Sequence, residues 1–202
     1  MKKLAIMGSG NGSNFEAIIK HFQNRNDVEI ICLCNVKDAY IFERAKNLGI
    51  KSQHLPFGES FEYFSQNKFD LVVLAGYMRI LPENVLKAMG DVINIHPALL
   101  PSFKGKDSIR DAYECGVKVS GVTVHYVVPE VDSGRIIAQY PVFIDNGMHL
   151  DEFEAEMHAV EHKLYPIVVE KVLDDKVFDF QDLMKNECSG GCSSGCDGGC
   201  CK

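Results

Sequence analysis

The chain has 202 residues, 46% of them hydrophobic, with 21 Lys and Arg against 28 Asp and Glu and a formal net charge of −7. That length suits one well-buried domain and is short for two, the acidity leaves no basic stripe to neutralise a nucleic-acid backbone, and no apolar run approaches the roughly 18 residues of a membrane span. Met1 to Met7 runs directly into Gly8 and Ser9, which suits a first strand rather than a signal peptide, so a cytoplasmic protein is expected.

Leu4-Ala5-Ile6-Met7 is a short apolar strand, and Gly8-Ser9-Gly10-Asn11-Gly12-Ser13-Asn14 follows it. Phe15, Ile18, Ile19 and Phe22 then keep helical spacing. Strand, glycine loop and helix form the layout of an anion site, because free amides at a helix start point outward and the helix dipole favours negative charge. The residues alone leave open a plain glycine turn with a Ser or Asn cap. A nucleoside triphosphate or a dinucleotide is not expected, since neither the Gly-Lys-Ser/Thr ending nor the Gly-x-Gly-x-x-Gly spacing is present.

Val28 to Cys34 reads as a second buried strand, Asn35 to Ala39 turns into a helix through about Leu48 with Gly49 at its end, Ser52 to Leu55 reads as a short strand, and Phe61 to Asn67 as a helix. Asp70 to Ala75 is almost uniformly apolar, as a central parallel strand should be. This alternation predicts an α/β fold with a doubly wound, mostly parallel sheet. Cys32, Cys34 and Cys115 sit in this body as small hydrophobes rather than a disulfide scaffold. Gly76-Tyr77-Met78-Arg79-Ile80-Leu81-Pro82 reads either as the wall of a flat aromatic pocket or as a connection packed under the next helix with Arg79 solvated.

Asn94 and His96 follow the apolar Val92-Ile93, two residues apart on one face, where a strand runs out into the stiff segment Pro97 to Pro101. Ligands of open α/β sheets bind at such strand ends. An amide donor there can polarise a carbonyl while an imidazole moves a proton, although a lone His at a strand end is more often a satisfied core residue. Asp107 to Gly116 is a predicted helix, and Val117 to Val128 and Arg135 to Phe143 form a predicted antiparallel hairpin. Glu130 and Asp132 lie in its loop, where an acid is ordinarily solvated unless the hairpin folds back beside His96. Asp151 to Leu173 is the longest helix, with a core stripe of Phe153, Met157, Val160, Leu164, Ile167 and Val168. Glu154, His158 and Glu161 share a flank off that stripe, where solvation is the ordinary outcome. Lys176 to Phe180 is expected to add an edge strand.

From about residue 184 the composition changes to Cys, Gly and Ser, with Cys188, Cys192, Cys196, Cys200 and Cys201 in a tail that cannot bury a core and is expected to lack order. Its thiolates could take a soft metal, but the spacing is not that of paired Cys-x-x-Cys zinc sites. The domain organisation is therefore one domain over 1–183 and a tail over 184–202.

Asn94-Ile95-His96-Pro97-Ala98-Leu99-Leu100-Pro101-Ser102-Phe103-Lys104-Gly105 resembles the signature of folate-dependent formyltransferases. With Gly10 to Asn14, Gly76 to Leu81, Val131 to Gly134 and Glu161 to Pro166, in that order over nearly residues 1 to 180, the chain resembles the phosphoribosylglycinamide formyltransferase family. The resemblance implies a Rossmann-like formyltransferase fold and transfer of a formyl group from 10-formyltetrahydrofolate, as co-substrate, to 5′-phosphoribosylglycinamide in purine synthesis. No metal or bound cofactor in the core is implied. His96, Asn94 and Asp132 would be catalytic; Asn11, Gly12, Ser13 and Asn14 would hold the phosphate, with His158 and Glu161 near the ribose. Met78, Arg79, Ile80, Leu81, Asn94, Val128, Pro129, Glu130, Val131 and Asp132 would line the folate site. Partners would be these small molecules alone, with no nucleic acid or membrane, in a monomer or homodimer. Two departures stand out: Lys106 to Arg110 lacks the His usual after the Lys-Gly pair, and His54 to Ser60 lacks an Arg for the folate tail. A formyltransferase acting on another amine, such as a nucleotide-linked amino sugar, and a non-catalytic metal or redox protein working through its tail are the competing readings.

Overall fold

Leu4 to Met7 and Leu71 to Leu74 carry no charge and are buried on both sides, an environment found in the middle of a parallel sheet covered by helices on both faces. In the computed structural model, which describes residues 1–183, these runs form β1 (Lys2–Gly8) and β4 (Leu71–Leu74), paired in parallel at the sheet centre. β2 (Val28–Cys34) and β3 (Lys51–His54) extend one side; β5 (Val92–His96), β6 (Val119–Tyr126) and β7 (Ile136–Phe143) extend the other, in the order β3-β2-β1-β4-β5-β6-β7. The first five strands are mutually parallel, whereas β6 runs antiparallel to β5 and β7 antiparallel to β6, so the α/β, mostly parallel expectation holds. The tail, and every expectation placed on it, lies outside the described residues.

Helices cover both faces. On one, α1 (Ser13–Phe22) and α6 (Leu150–Leu173) bury Phe15, Ile18, Phe153, Met157, Leu164 and Val168 against Leu4 and Ile6. On the other, α3 (Ser60–Gln66) and α4 (Glu83–Met89) bury Phe64, Val85, Leu86 and Met89 against Ala5 and Met7. The remaining α-helices are α2 (Ile41–Asn47) and α5 (Ser108–Cys115). Tyr165 of α6 is fully buried, and its hydroxyl reaches Leu74 O at 2.8 Å and Ile93 O at 3.2 Å, tying α6 to the centre of the sheet. No described helix is long and apolar enough to cross a membrane.

The chain leaves β1 toward β2 on one side and later returns to β4 on the other, so the carboxyl ends of β1 and β4 flank a topological switch point. The loops leaving them are stitched together, Ser9 N–H donating to Gly76 O at 3.0 Å and Met78 N–H to Ser9 Oγ at 2.9 Å.

Asn35 to Ala39 leads into α2 at Ile41, with Asn35 Oδ1 accepting from the Ser9 hydroxyl at 2.6 Å and the Ile41 N–H donating to Gly10 O at 3.1 Å. One expected element differs. Lys176 to Phe180 forms no strand: the Gln181 amide donates to the Asp179 carboxylate and the Asp179 amide to Asp182, a local arrangement that competes with a ladder.

Candidate functional site

β5 delivers Asn94 and His96 to one cluster with Asp132, which lies in the β6–β7 connection. His96 is 4% exposed, and its Nε2–H donates to Phe103 O at 2.8 Å. Its Nδ1 faces Asp132 Oδ2 at 3.5 Å. With Nε2 committed as a donor, a neutral imidazole turns a lone pair toward the carboxylate, which is favourable only when a proton lies between the two. Nδ1 is therefore the place for a mobile proton. The carboxylate is in turn oriented by the Gly105 N–H, 2.9 Å from Oδ2.

Phe103 and Asp132 both hold positive φ, 51° and 49°. Such strain in non-glycine residues collects at functional sites, where surrounding contacts over-determine the backbone. Here the loop bearing Phe103 is pinned from below by Thr123, whose hydroxyl donates to Ala98 O at 2.6 Å and accepts the Leu100 N–H at 3.0 Å, and by Gln139, which donates to Leu100 O at 2.9 Å. From above, the Lys104 ammonium donates to Ser133 Oγ at 2.6 Å.

His125, absent from the sequence reading, belongs to the same cluster. The β5–β6 register sets it opposite Asn94. Its Nδ1–H donates to Tyr126 O at 2.9 Å, which leaves Nε2 to accept from the Asn94 amide at 3.4 Å, and Asp132 Oδ1 is 3.7 Å from the same nitrogen. Burial pushes the pKa of His125 down, so it stays neutral and fixes the orientation of Asn94, whose second N–H remains for a ligand. The signal that could have revealed it was the β5–β6 pairing, not any property of residue 125.

The second cluster sits at the start of α1. Gly12 holds φ 79° with Ile41 packed where a Cβ would be, and α1 has no side-chain cap. The N–H groups of Asn11, Gly12, Ser13 and Asn14 take no backbone partner among the described residues, so they are free to meet an anion. Asn14 Nδ2 donates to Glu161 Oε2 at 3.2 Å, and His158 Nδ1 lies 3.0 Å from the same oxygen. Glu161 is 5% exposed, so the solvated flank expected from helical spacing is corrected here: the two neighbours satisfy a carboxylate that would otherwise need water. The Glu161 hydrogen bond raises the pKa of His158. Asn14 Oδ1 is buried without a donor, an acceptor left for a ligand hydroxyl or amine.

Of the remaining candidates, Leu81 is buried in the core, while Met78 and Ile80 are 68% and 69% exposed. Arg79 lies over the Phe57 ring, 5.8 Å from its centroid. Val128 and Val131 are also exposed, beside Pro129 and Glu130. Val127 packs on the same apolar cluster that contains Leu81, so both segments rise over one layer of the core. Among the described residues no group of three or more His, Cys, Asp or Glu side chains is placed to hold a metal ion.

A family model described as formyl transferase matches residues 2–169. The chain is 41% identical to a Bacillus subtilis protein named phosphoribosylglycinamide formyltransferase, over 86% of this chain and 95% of that one. It is 34% identical to the human trifunctional purine biosynthetic protein adenosine-3, over 87% of this chain but only 19% of that one. Among solved structures it resembles phosphoribosylglycinamide formyltransferase from Bacillus halodurans, with a TM-score of 0.80 at 36% identity over 88% of this chain and all of that chain. The enzyme of that name from Streptococcus pneumoniae gives a TM-score of 0.75 at 42% identity, over 84% and 98% of the two chains.

Proposed function

This chain belongs to the formyltransferase family, and from that premise we propose that it transfers the formyl group of 10-formyltetrahydrofolate to the amine of 5′-phosphoribosylglycinamide, in the synthesis of purines. The observation that carries the reading is the convergence of Asn94, His96 and Asp132 at the carboxyl end of β5, in a fold that also offers open amides at the start of α1.

When the amine attacks the formyl carbon, a C–N bond forms and the carbonyl oxygen gains negative charge. The free N–H of Asn94 and a proton on His96 Nδ1 stabilise that charge in a site where both histidines are almost wholly buried. Asp132 supports the charged imidazole and accepts the proton shed by the amine, which passes to the folate nitrogen as the old C–N bond breaks. Asn11 to Asn14 receive the phosphate, Glu161 and His158 lie by the ribose, and Met78 to Ile80 with Val128 to Asp132 line the folate site, over the buried Leu81. Small-molecule substrates are the partners this chemistry needs.

The test is loss of the formyl group from a 10-formylfolate, followed by absorbance with and without phosphoribosylglycinamide, with His96→Ala as control. Turnover that requires both the glycinamide and His96 is expected. Formyl loss without an acceptor would make the protein a hydrolase, and folate binding without turnover would point to a different amine.

A further inference from the structure

Three consecutive carbonyls of the loop leaving β1 each have their own donor. Gly10 O accepts the Ile41 N–H at 3.1 Å and Gly12 O accepts the Glu16 N–H at 3.0 Å. Asn11 O accepts the Nε–H of Arg44 at 2.9 Å. The first two donors are backbone groups that almost any residue supplies, but the third is a side chain from α2. Its fork has a second hold, Nη2 donating to Asn11 Oδ1 at 2.9 Å. The guanidinium is itself held, by an ion pair with Glu16 and by the Tyr40 ring 5.1 Å beneath it.

From this geometry we propose that Arg44 is a positioning residue for the substrate phosphate: it keeps the Asn11 carbonyl engaged with α2, so that the amides of residues 11 to 14 stay free to converge on the anion. The inference rests on reading this loop as the phosphate site of the proposed reaction. Lys20 also supplies positive charge here, pairing with the same Glu16 carboxylate at 2.6 Å, so what Arg44 alone contributes is the hold on Asn11. An unheld Asn11 peptide is free to rotate, which turns an electronegative oxygen toward the phosphate and withdraws the neighbouring amide. A lysine supplies the charge but not the two-pronged planar hold.

The experiment compares wild type, R44M and R44K in two ways: affinity for inorganic phosphate by calorimetry, and steady-state kinetics with phosphoribosylglycinamide and with its dephosphorylated nucleoside. Expected for both variants is a rise in KM for the phosphorylated amine of about tenfold, equivalent to about 1.4 kcal/mol, with a similar loss of phosphate affinity. In the same variants kcat, the folate KM and kcat/KM for the nucleoside stay near wild type. Glu16→Gln, which removes the ion pair and leaves the bonds to Asn11, keeps phosphate affinity at or above the wild-type value and serves as the check should R44M fold poorly. Wild-type KM in R44K would reduce the role to charge and overturn the inference, as would equal losses on both amines or unchanged phosphate affinity. A wild type inert toward the glycinamide, with phosphate affinity still lost in R44M and R44K, would sink the proposed reaction while supporting Arg44 as the support of a phosphate loop.

Discussion

Asp132→Asn isolates the charge of the carboxylate from its shape. Asparagine is among the few residues that tolerate the left-handed φ of 49° found there, and its carbonyl oxygen can still accept the Gly105 N–H, so the loop should keep its path. What disappears is a negative charge 3.5 Å from His96 Nδ1, which at an effective dielectric of about 20 interacts with an imidazolium by about 5 kcal/mol. That is an upper value, because the charge has other partners. General acid–base groups contribute about 10²–10⁴-fold, and the two figures together set an expected fall in kcat of about 10³-fold. KM for both substrates should change by no more than about threefold, since the carboxylate acts on developing charge rather than on the ground state. The assay is steady-state formyl transfer followed by absorbance, with a thermal melt to show that the variant is folded. A folded variant retaining a rate within tenfold of wild type would refute the proton-relay role.

The pH dependence of stability follows from the histidines. Burial lowers the pKa of His125 and His162, so the unfolded chain takes up protons first as the pH falls through about 6.5, and stability drops from there until the lowered folded values are reached. His158, raised by Glu161, acts in the opposite sense: its contribution is full below about 6.5 and fades as the pH rises through its folded value, but it is half exposed and screened. A lower Tm at pH 5.5 than at pH 7.5 is therefore expected, and an equal or higher one would contradict the assignment. In Gly134→Ala the new Cβ would sit 1.7 Å from Tyr126 O, which neither backbone can accommodate. The resulting shift, two residues from Asp132, should cost at least about 2 kcal/mol of stability and most of the activity, seen in denaturant titration and the same rate assay. Tyr165→Phe strands the carbonyls of Leu74 and Ile93 without their hydroxyl donor and should cost about 1–2 kcal/mol, a drop in Tm of about 3–6 °C, with kcat unchanged.

The strands were legible because Leu4 to Met7, Ile30 to Cys34 and Leu71 to Ala75 are apolar runs ended by glycine or polar residues, and burial on both faces is what such runs require. The catalytic candidates were legible for the same reason, as polar residues where β5 should have run out, together with a recognisable motif. What escaped was set by contacts between distant segments. His125 sits in β6 among Val122, Thr123 and Val124, and only strand pairing brings it to Asn94. Glu161 looked like a solvated helix flank because its partners come partly from α1. Arg44 looked like any polar residue of a short helix, since nothing local announces that Asn11 lies against it. The false edge strand at 176–180 failed for a local reason, the competition of aspartate side chains for backbone amides.

The loop leaving β5 holds His96 with main chain: a carbonyl at residue 103 directly and, through the Asp132 side chain, an amide at residue 105. Neither contact depends on which side chain is attached. The loop is thus free to vary in sequence as long as position 103 accepts a positive φ and fills its partly buried place, so histidine should be admitted there and valine or isoleucine refused. If the proposed proton path holds, tolerance to mutation around it is sharply uneven, with His96 and Asp132 required by the chemistry and fastened by main-chain neighbours that can change side chain.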